Sequence, residues 1–161
     1  VMKSDIINEI IRAVSGYQIP PSNVIVELTE SGLLVSNLQL AKTWSKLNEQ
    51  GIQLALDDFG TGYSNLSSVV SLPLQYVKVD RSLLEAATNG GGGALLLRAV
   101  VETFRAMGRG ILLEGVETPE QYALACTLRA DRLQGYYLAR PMPGEELCAL
   151  MRSGARRTRR T

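Results

Sequence analysis

Histidine is absent from all 161 residues. That removes the commonest general base and the commonest metal ligand, so any chemistry here rests on carboxylates, lysine or cysteine. Cysteine occurs only twice, as Cys126 and Cys148, without the spacing of a zinc site. Both fall in apolar helical patterns and are expected to be buried thiols, not a disulfide. No stretch approaches the ~18 consecutive apolar residues of a membrane span, and no signal-peptide pattern opens the chain; a cytoplasmic location is the default expectation. An excess of charge of either sign is also missing. The net charge of +1 argues against a DNA or RNA surface, which needs a clustered basic face. The one such cluster, Arg156-Arg157-Thr158-Arg159-Arg160, reads as a solvated end.

What is present, 45% hydrophobic and 20% charged residues, suits one globular domain with a sizeable core. Helical spacing runs from Asp5 to Val14, with Ser4 or Asp5 able to cap it and Gly16 to end it. Val24 to Leu28 has the β-branched profile of a strand buried on both faces. A helix is expected from Leu38 to Glu49, a strand from Ile52 to Asp57, a short helix from Ser64 to Ser71 and a strand from Gln75 to Val79. Ala86 to Gly93, with four successive glycines, suits a mobile loop. Beyond it come a helix from Ala94 to Met107 and a strand from Ile111 to Glu114. A helix with Thr118 as N-cap and Pro119 at its first position runs to about Arg129. A fifth strand is expected from Arg132 to Tyr137 and a last helix from Gly144 to Arg152.

Strands alternating with helices predict an α/β fold. About five parallel strand-helix units form part of a (β/α)8, TIM-like barrel, since a whole one takes ~250 residues. Each strand carries a polar residue of the kind a metal site uses: Glu27, Asp57 with Asp58, Lys78, Glu114 and Gln134. In a barrel such strand ends converge on the face where active sites are built. Any one acid has an ordinary reading as a cap or turn residue; five together are harder to explain that way. Two adjacent acids ending a buried strand need compensation, and hard oxygen ligands suit magnesium or manganese. Lys78 lies within Tyr76-Val77-Lys78-Val79, so its ammonium needs carboxylate neighbours. It forms either a structural ion pair with Asp80 or an acid of a neighbouring strand, or a charge beside a reacting phosphate.

The stretch Asp57-Asp58-Phe59-Gly60-Thr61-Gly62-Tyr63-Ser64 resembles the signature of EAL-type cyclic di-GMP phosphodiesterases. It recurs in family order with Glu-Leu-Thr-Glu (27 to 30), Val-Lys-Val-Asp (77 to 80), Glu-Gly-Val-Glu-Thr (114 to 118) and Gln-Gly-Tyr (134 to 136). The Glu-Ala-Leu tripeptide that names the family is not in the chain. The resemblance implies that residues 1–153 are the C-terminal portion of such a domain, with 154–161 a basic tail. The first strands, with the named glutamate and a metal-binding asparagine, are expected before Val1.

By that resemblance, Glu27, Asp57 and Asp58 are metal ligands serving two Mg2+ or Mn2+ ions. Glu114 binds metal-linked water and is the candidate general base, Lys78 contacts the nucleophilic water, and Gln134 holds water or substrate. Glu30 and Glu117 hold the loop and orient the ligands. Phe59, Gly60, Thr61 and Gly62 form the loop that couples metal binding to the following helix, a surface the family uses for dimerisation. Pro141 lies on the substrate side of the last strand. Leu113 stands where the family usually has alanine, and Ser82-Leu83 where it has serine-phenylalanine. The implied activity is hydrolysis of cyclic di-GMP to linear pGpG, weak or absent in this chain alone. A sensory or GGDEF-type domain is expected upstream, and a homodimer is possible by family precedent. Two rivals stand beside it. One is an EAL domain that binds cyclic di-GMP or a protein without catalysis. The other is a magnesium-dependent barrel lyase in which Lys78 abstracts a carbon-bound proton.

Overall fold

The computed structural model describes residues 4–29, 38–61, 69–70 and 72–154. In chain order its elements are α1 (Ser4–Gly16), β1 (Ile25–Thr29), α2 (Leu38–Glu49), β2 (Gln53–Phe59), β3 (Tyr76–Val79), α3 (Arg81–Thr88), α4 (Gly93–Ala106), β4 (Gly110–Leu113), α5 (Pro119–Thr127), β5 (Arg132–Leu133) and α6 (Gly144–Gly154), with a 3-10 turn at Pro21–Asn23. All strand pairs are parallel, and the spatial order β1-β2-β3-β4-β5 repeats the chain order. Right-handed crossovers with no reversal of order return every helix to the same face. The sheet is therefore covered on one side and open on the other, like part of a barrel wall; it does not close.

Alternation along the strands shows which side is which. Leu54, Leu56, Val77, Val79, Ile111 and Leu113 face the helices and are fully buried in one core with Trp44, Leu47, Leu97, Val101 and Phe104. Their neighbours Gln53, Tyr76 and Leu112 point the other way and are half-buried. Leu113, where the family usually has alanine, thus spends its bulk in the helix-covered core. The amphipathic α1 adds Ile7 and Val14 to that core, and Lys46 Nζ of α2 donates to Asn8 Oδ1 at 2.8 Å.

Several expectations need correcting. The segment expected as a mobile loop from Ala86 is helical to Thr88: α3 starts where the Asp80 carboxylate accepts from Ser82 N at 2.9 Å, and its Leu84 and Ala87 are buried. Only Asn89 to Gly92 form the turn. Gly93 opens α4 instead, because a Cβ there would strike the Ala86 carbonyl. The fifth strand stops at Leu133, four residues early, since Gly135 packs against the Val116 backbone and the chain turns. Cys126 and Cys148 are both exposed: on α5 the core positions go to Gln121 and Ala125, and α6 is exposed along its length. The cap on α5 is as expected, with Thr118 Oγ1 accepting from Gln121 N at 3.2 Å and the Gln121 side chain accepting from Thr118 N. The short helix expected at 64–71, apart from Val69 and Val70, and the tail from 155 lie outside the described residues. No helix among the described residues is long and apolar enough to cross a membrane.

Candidate functional site

The site is built at the carboxyl ends of the strands, on the face the helices leave open. Strict alternation would send Asp57 and Asp58 to opposite faces. The pairing of β2 with β3 breaks that alternation: Leu56 opposes Val77 and Phe59 opposes Val79, so Asp57 and Asp58 together oppose Lys78 alone. This is a β-bulge, and Asp58 takes φ 56, a left-handed backbone that aspartate tolerates. The extra residue resets the period. Phe59 returns to the helix side, where its ring meets Phe104 edge-on at 4.9 Å. The carboxylates of Asp57 and Asp58 meet that of Glu114, with one oxygen from each lying within 4.8 Å of the others.

Lys78 is 7% exposed and reaches three acids from three strand ends. Its Nζ lies 2.9 Å from Glu27 Oε2, 2.7 Å from Asp57 Oδ1 and 3.0 Å from Glu114 Oε1. β1 and β3 stand two strand spacings apart, about 9.6 Å. Lys78 and Glu27 meet across that gap because the residue beside Glu27 on β2 is Ala55. Burial pulls the ammonium's pKa down, but contacts with Asp57, Glu27 and Glu114 outweigh it and hold the pKa above the ordinary lysine value. Of the two partners considered from sequence, the neighbouring strands' acids are the ones found; Asp80 caps α3 instead.

Negative charge dominates the cluster, with one lysine against Glu27, Asp57, Asp58 and Glu114. Burial raises the Glu114 pKa, the Lys78 contact only partly offsets this, and Asp57 and Glu27 add to the rise. The Asp58 pKa is raised by burial first, then by Asp57 and Asp80. Asp57 Oδ1 is buried and, although close to Nζ, lies outside hydrogen-bond geometry, leaving it without a hydrogen-bond partner. A buried carboxylate oxygen whose one close cation is an ammonium shared with two other acids, in a cluster with acid in excess, fits a hard divalent cation.

The other expected residues fall around this centre. Thr61 closes the turn after the bulge, its hydroxyl donating to Asp58 O at 3.0 Å, and Gly60, at φ 107, lies against Leu83 where a Cβ would not fit. Glu30 and Gly62 lie outside the described residues. Gln134 and Pro141 share a cavity of about 450 Å³ with Arg81, Glu117, Tyr136 and Arg140. Glu117 is placed by Gln121 Oε1, which accepts from its N–H at 2.7 Å. Sequence reasoning assigned no role to Arg81, Tyr136 or Arg140; the available signals were Arg140 directly before Pro141 and Tyr136 in the Gln-Gly-Tyr motif, and Arg81 carried none.

A family model described as the EAL domain matches residues 1–141. The chain belongs to the EAL domain family. The cyclic di-GMP phosphodiesterase RocR of Pseudomonas aeruginosa is 35% identical to it over 127 residues, 79% of this chain and 32% of RocR. The crystal structure of the EAL domain of Mycobacterium smegmatis DcpA matches with a TM-score of 0.88 at 31% identity, covering 96% of this chain and 69% of that one. Klebsiella pneumoniae BlrP1, in a manganese and cyclic di-GMP complex, matches with a TM-score of 0.76 at 27% identity, over 84% of this chain and 34% of that one. This EAL chain spans 18% to 32% of the length of the first curated relatives it matches.

Proposed function

We propose that this EAL chain carries the catalytic carboxylates of a cyclic di-GMP phosphodiesterase, cutting one phosphodiester to leave linear pGpG. The observation that carries this reading is the convergence of Glu27, Asp57 and Glu114 on Lys78, with Asp58 beside Asp57 and Glu114, at the open face of the sheet. The residues that would hold Mg2+ or Mn2+ are Glu27, Asp57 and Asp58, and a pair of such ions supplies charge stabilisation and an activated nucleophile that a histidine-free site lacks. RocR is named for this activity and BlrP1 was solved with manganese and cyclic di-GMP, which supports the same substrate and cofactor here.

The residues divide the work by their electrostatics. Glu114, held above the usual carboxylate range, accepts a proton from water as the water oxygen bonds to phosphorus. The bond from phosphorus to the 3′ oxygen breaks, and that oxygen leaves as a hydroxyl by taking a proton from solvent, while Glu114 returns the proton it accepted to solvent. Lys78 stays charged, which suits it to orient water and stabilise charge on the phosphate. The same charge disfavours the lyase reading, which needs a neutral lysine base. Gln134 and Pro141 border the cavity beside Glu117 that takes the rest of the dinucleotide. Glu30, Glu117 and the loop Phe59-Gly60-Thr61-Gly62 hold the ligands in place. A homodimer through that loop and a sensory or GGDEF-type domain upstream complete the reading of the whole protein.

The test is incubation of the chain, and of the whole protein that carries it, with cyclic di-GMP and Mn2+, following product by chromatography beside Glu114→Gln. Accumulation of pGpG by the whole protein, reduced at least ~100-fold in the variant, is the expected result, with little or none from this chain alone. Binding of cyclic di-GMP by the whole protein without any product would contradict the enzymatic reading and favour a non-catalytic binder.

A further inference from the structure

The carboxylates occupy one end of the sheet, and the other end holds a cavity of opposite character. It measures about 610 Å³ and is lined by the opening residue of four consecutive strands, Gln53 of β2, Tyr76 of β3, Gly110 of β4 and Arg132 of β5, together with Arg109 and Asp131. Gly110 is what lets its two neighbours meet. It pairs with Tyr76, and a Cβ there would lie 2.6 Å from the tyrosine ring; with none present, the ring lies across β4 toward Arg132. The Arg132 guanidinium carbon sits 4.2 Å from the ring centroid, and its Nη2 donates to Tyr76 Oη at 2.9 Å.

Positive charge is left over here. Among the described residues neither Arg109 nor Arg132 lies within ion-pair distance of a carboxylate. Arg109 donates through Nη1 and Nη2 to the carbonyls of Leu74 and Leu72, neutral acceptors that leave its charge uncompensated, and its buried Nε has no partner. Asp131, the one acid among these lining residues, is held by its Oδ2, which accepts from Ile111 N at 2.7 Å. Three groups keep donors without a partner among the described residues. They are Arg132 through Nε and Nη1, Tyr76 through its hydroxyl proton, and Gln53 through its side-chain amide.

A guanidinium edge held by stacking on an aromatic ring, with neutral donors beside it, is the donor set that phosphate oxygens take. Three donor groups match the three terminal oxygens of a phosphate, and two cations against one acid favour its dianion. We propose that this cavity at the amino ends of the strands binds a phosphate dianion, free or as the terminal group of a monoester. The volume lies within the ~300–1,000 Å³ of small-molecule sites, which leaves room for an organic body beside the phosphate. The inference is independent of the function proposed above, because it uses none of the residues at the carboxyl ends.

The experiment is an NMR titration of backbone amides of the chain in metal-free buffer. The probes are inorganic phosphate, guanosine 5′-monophosphate as a monoester with an organic body, and guanosine as the phosphate-free control. Saturable shifts at Gly110 and Arg132 are expected with both phosphates and not with guanosine, while the amides of Asp58 and Glu114 stay in place. Tighter binding of the monoester would support the site and name an organic phosphate as its source; equal affinity would support it with free phosphate as the source. Arg132→Gln is expected to weaken both phosphates about tenfold. Its side chain is exposed, and the spectrum itself reports the fold. Tyr76→Phe removes only the hydroxyl and is expected to weaken them about threefold, which keeps the test readable if Arg132→Gln disturbs the fold. No saturable shift at millimolar phosphate or monoester would overturn the proposal, as would binding unchanged by both variants, shifts centred on Asp58 and Glu114, or guanosine binding as well as its monophosphate.

Discussion

Asp58 does two things that can be separated by substitution. Its backbone, at φ 56, makes the bulge, and its carboxylate completes the acid cluster. Glycine adopts that backbone without strain, so Asp58→Gly is expected to hold stability within about 1 kcal/mol while weakening metal binding. Asp58→Val loses the carboxylate and adds a β-branched side chain where φ is positive, costing about 2 kcal/mol. Urea unfolding beside a manganese titration checks both; equal stability of the two variants would contradict the strained bulge. The acids themselves were legible in the sequence, because a carboxylate at the end of a buried apolar run is costly without a cation beside it. The bulge was not, since a period of two predicts opposite faces for Asp57 and Asp58. Only the pairing with β3 shows that the period is broken there.

At the scale of elements, the positions of β1 to β4 followed from short apolar runs, β-branched in β1, and the start of α5 from Thr118 and Pro119. The errors came from glycine. Four glycines in a row suggested a long loop, although Gly93 serves to let α4 meet α3. The fifth strand was expected to reach Tyr137, although Gly135 is where the backbone meets Val116 and the strand ends at Leu133. Sequence shows that a glycine is present but not which neighbour needs the missing Cβ. Gly135→Ala places a methyl group against the Val116 backbone and is expected to cost about 1–3 kcal/mol. Because Val116 N donates to Gln134 O at 3.0 Å, the same substitution displaces Gln134 and Glu117. Thermal unfolding and cyclic di-GMP affinity should therefore fall together, whereas an affinity lost with unchanged stability would point to a direct ligand contact at Gly135.

At the scale of the whole molecule, an open five-stranded sheet brings Glu27, Asp57 and Glu114 onto one lysine with Asp58 beside them, and the claim drawn from this is that divalent ions would relieve the remaining charge. The raised pKa values of Asp58 and Glu114 give that claim a sign. An acid that keeps its proton longer in the folded state makes folding weaken as pH rises, from the ordinary carboxylate range near 4 upward through the folded value. A bound cation reverses this, since its ligands must be deprotonated and ligand binding to the folded state raises stability. The most direct measurement is the melting temperature against pH, with and without Mn2+, for the chain and for Asp57→Asn/Asp58→Asn. The expected result is a manganese shift that grows between about pH 4 and 7 and vanishes in the double variant. A shift that is absent, or equal in both proteins, would contradict it.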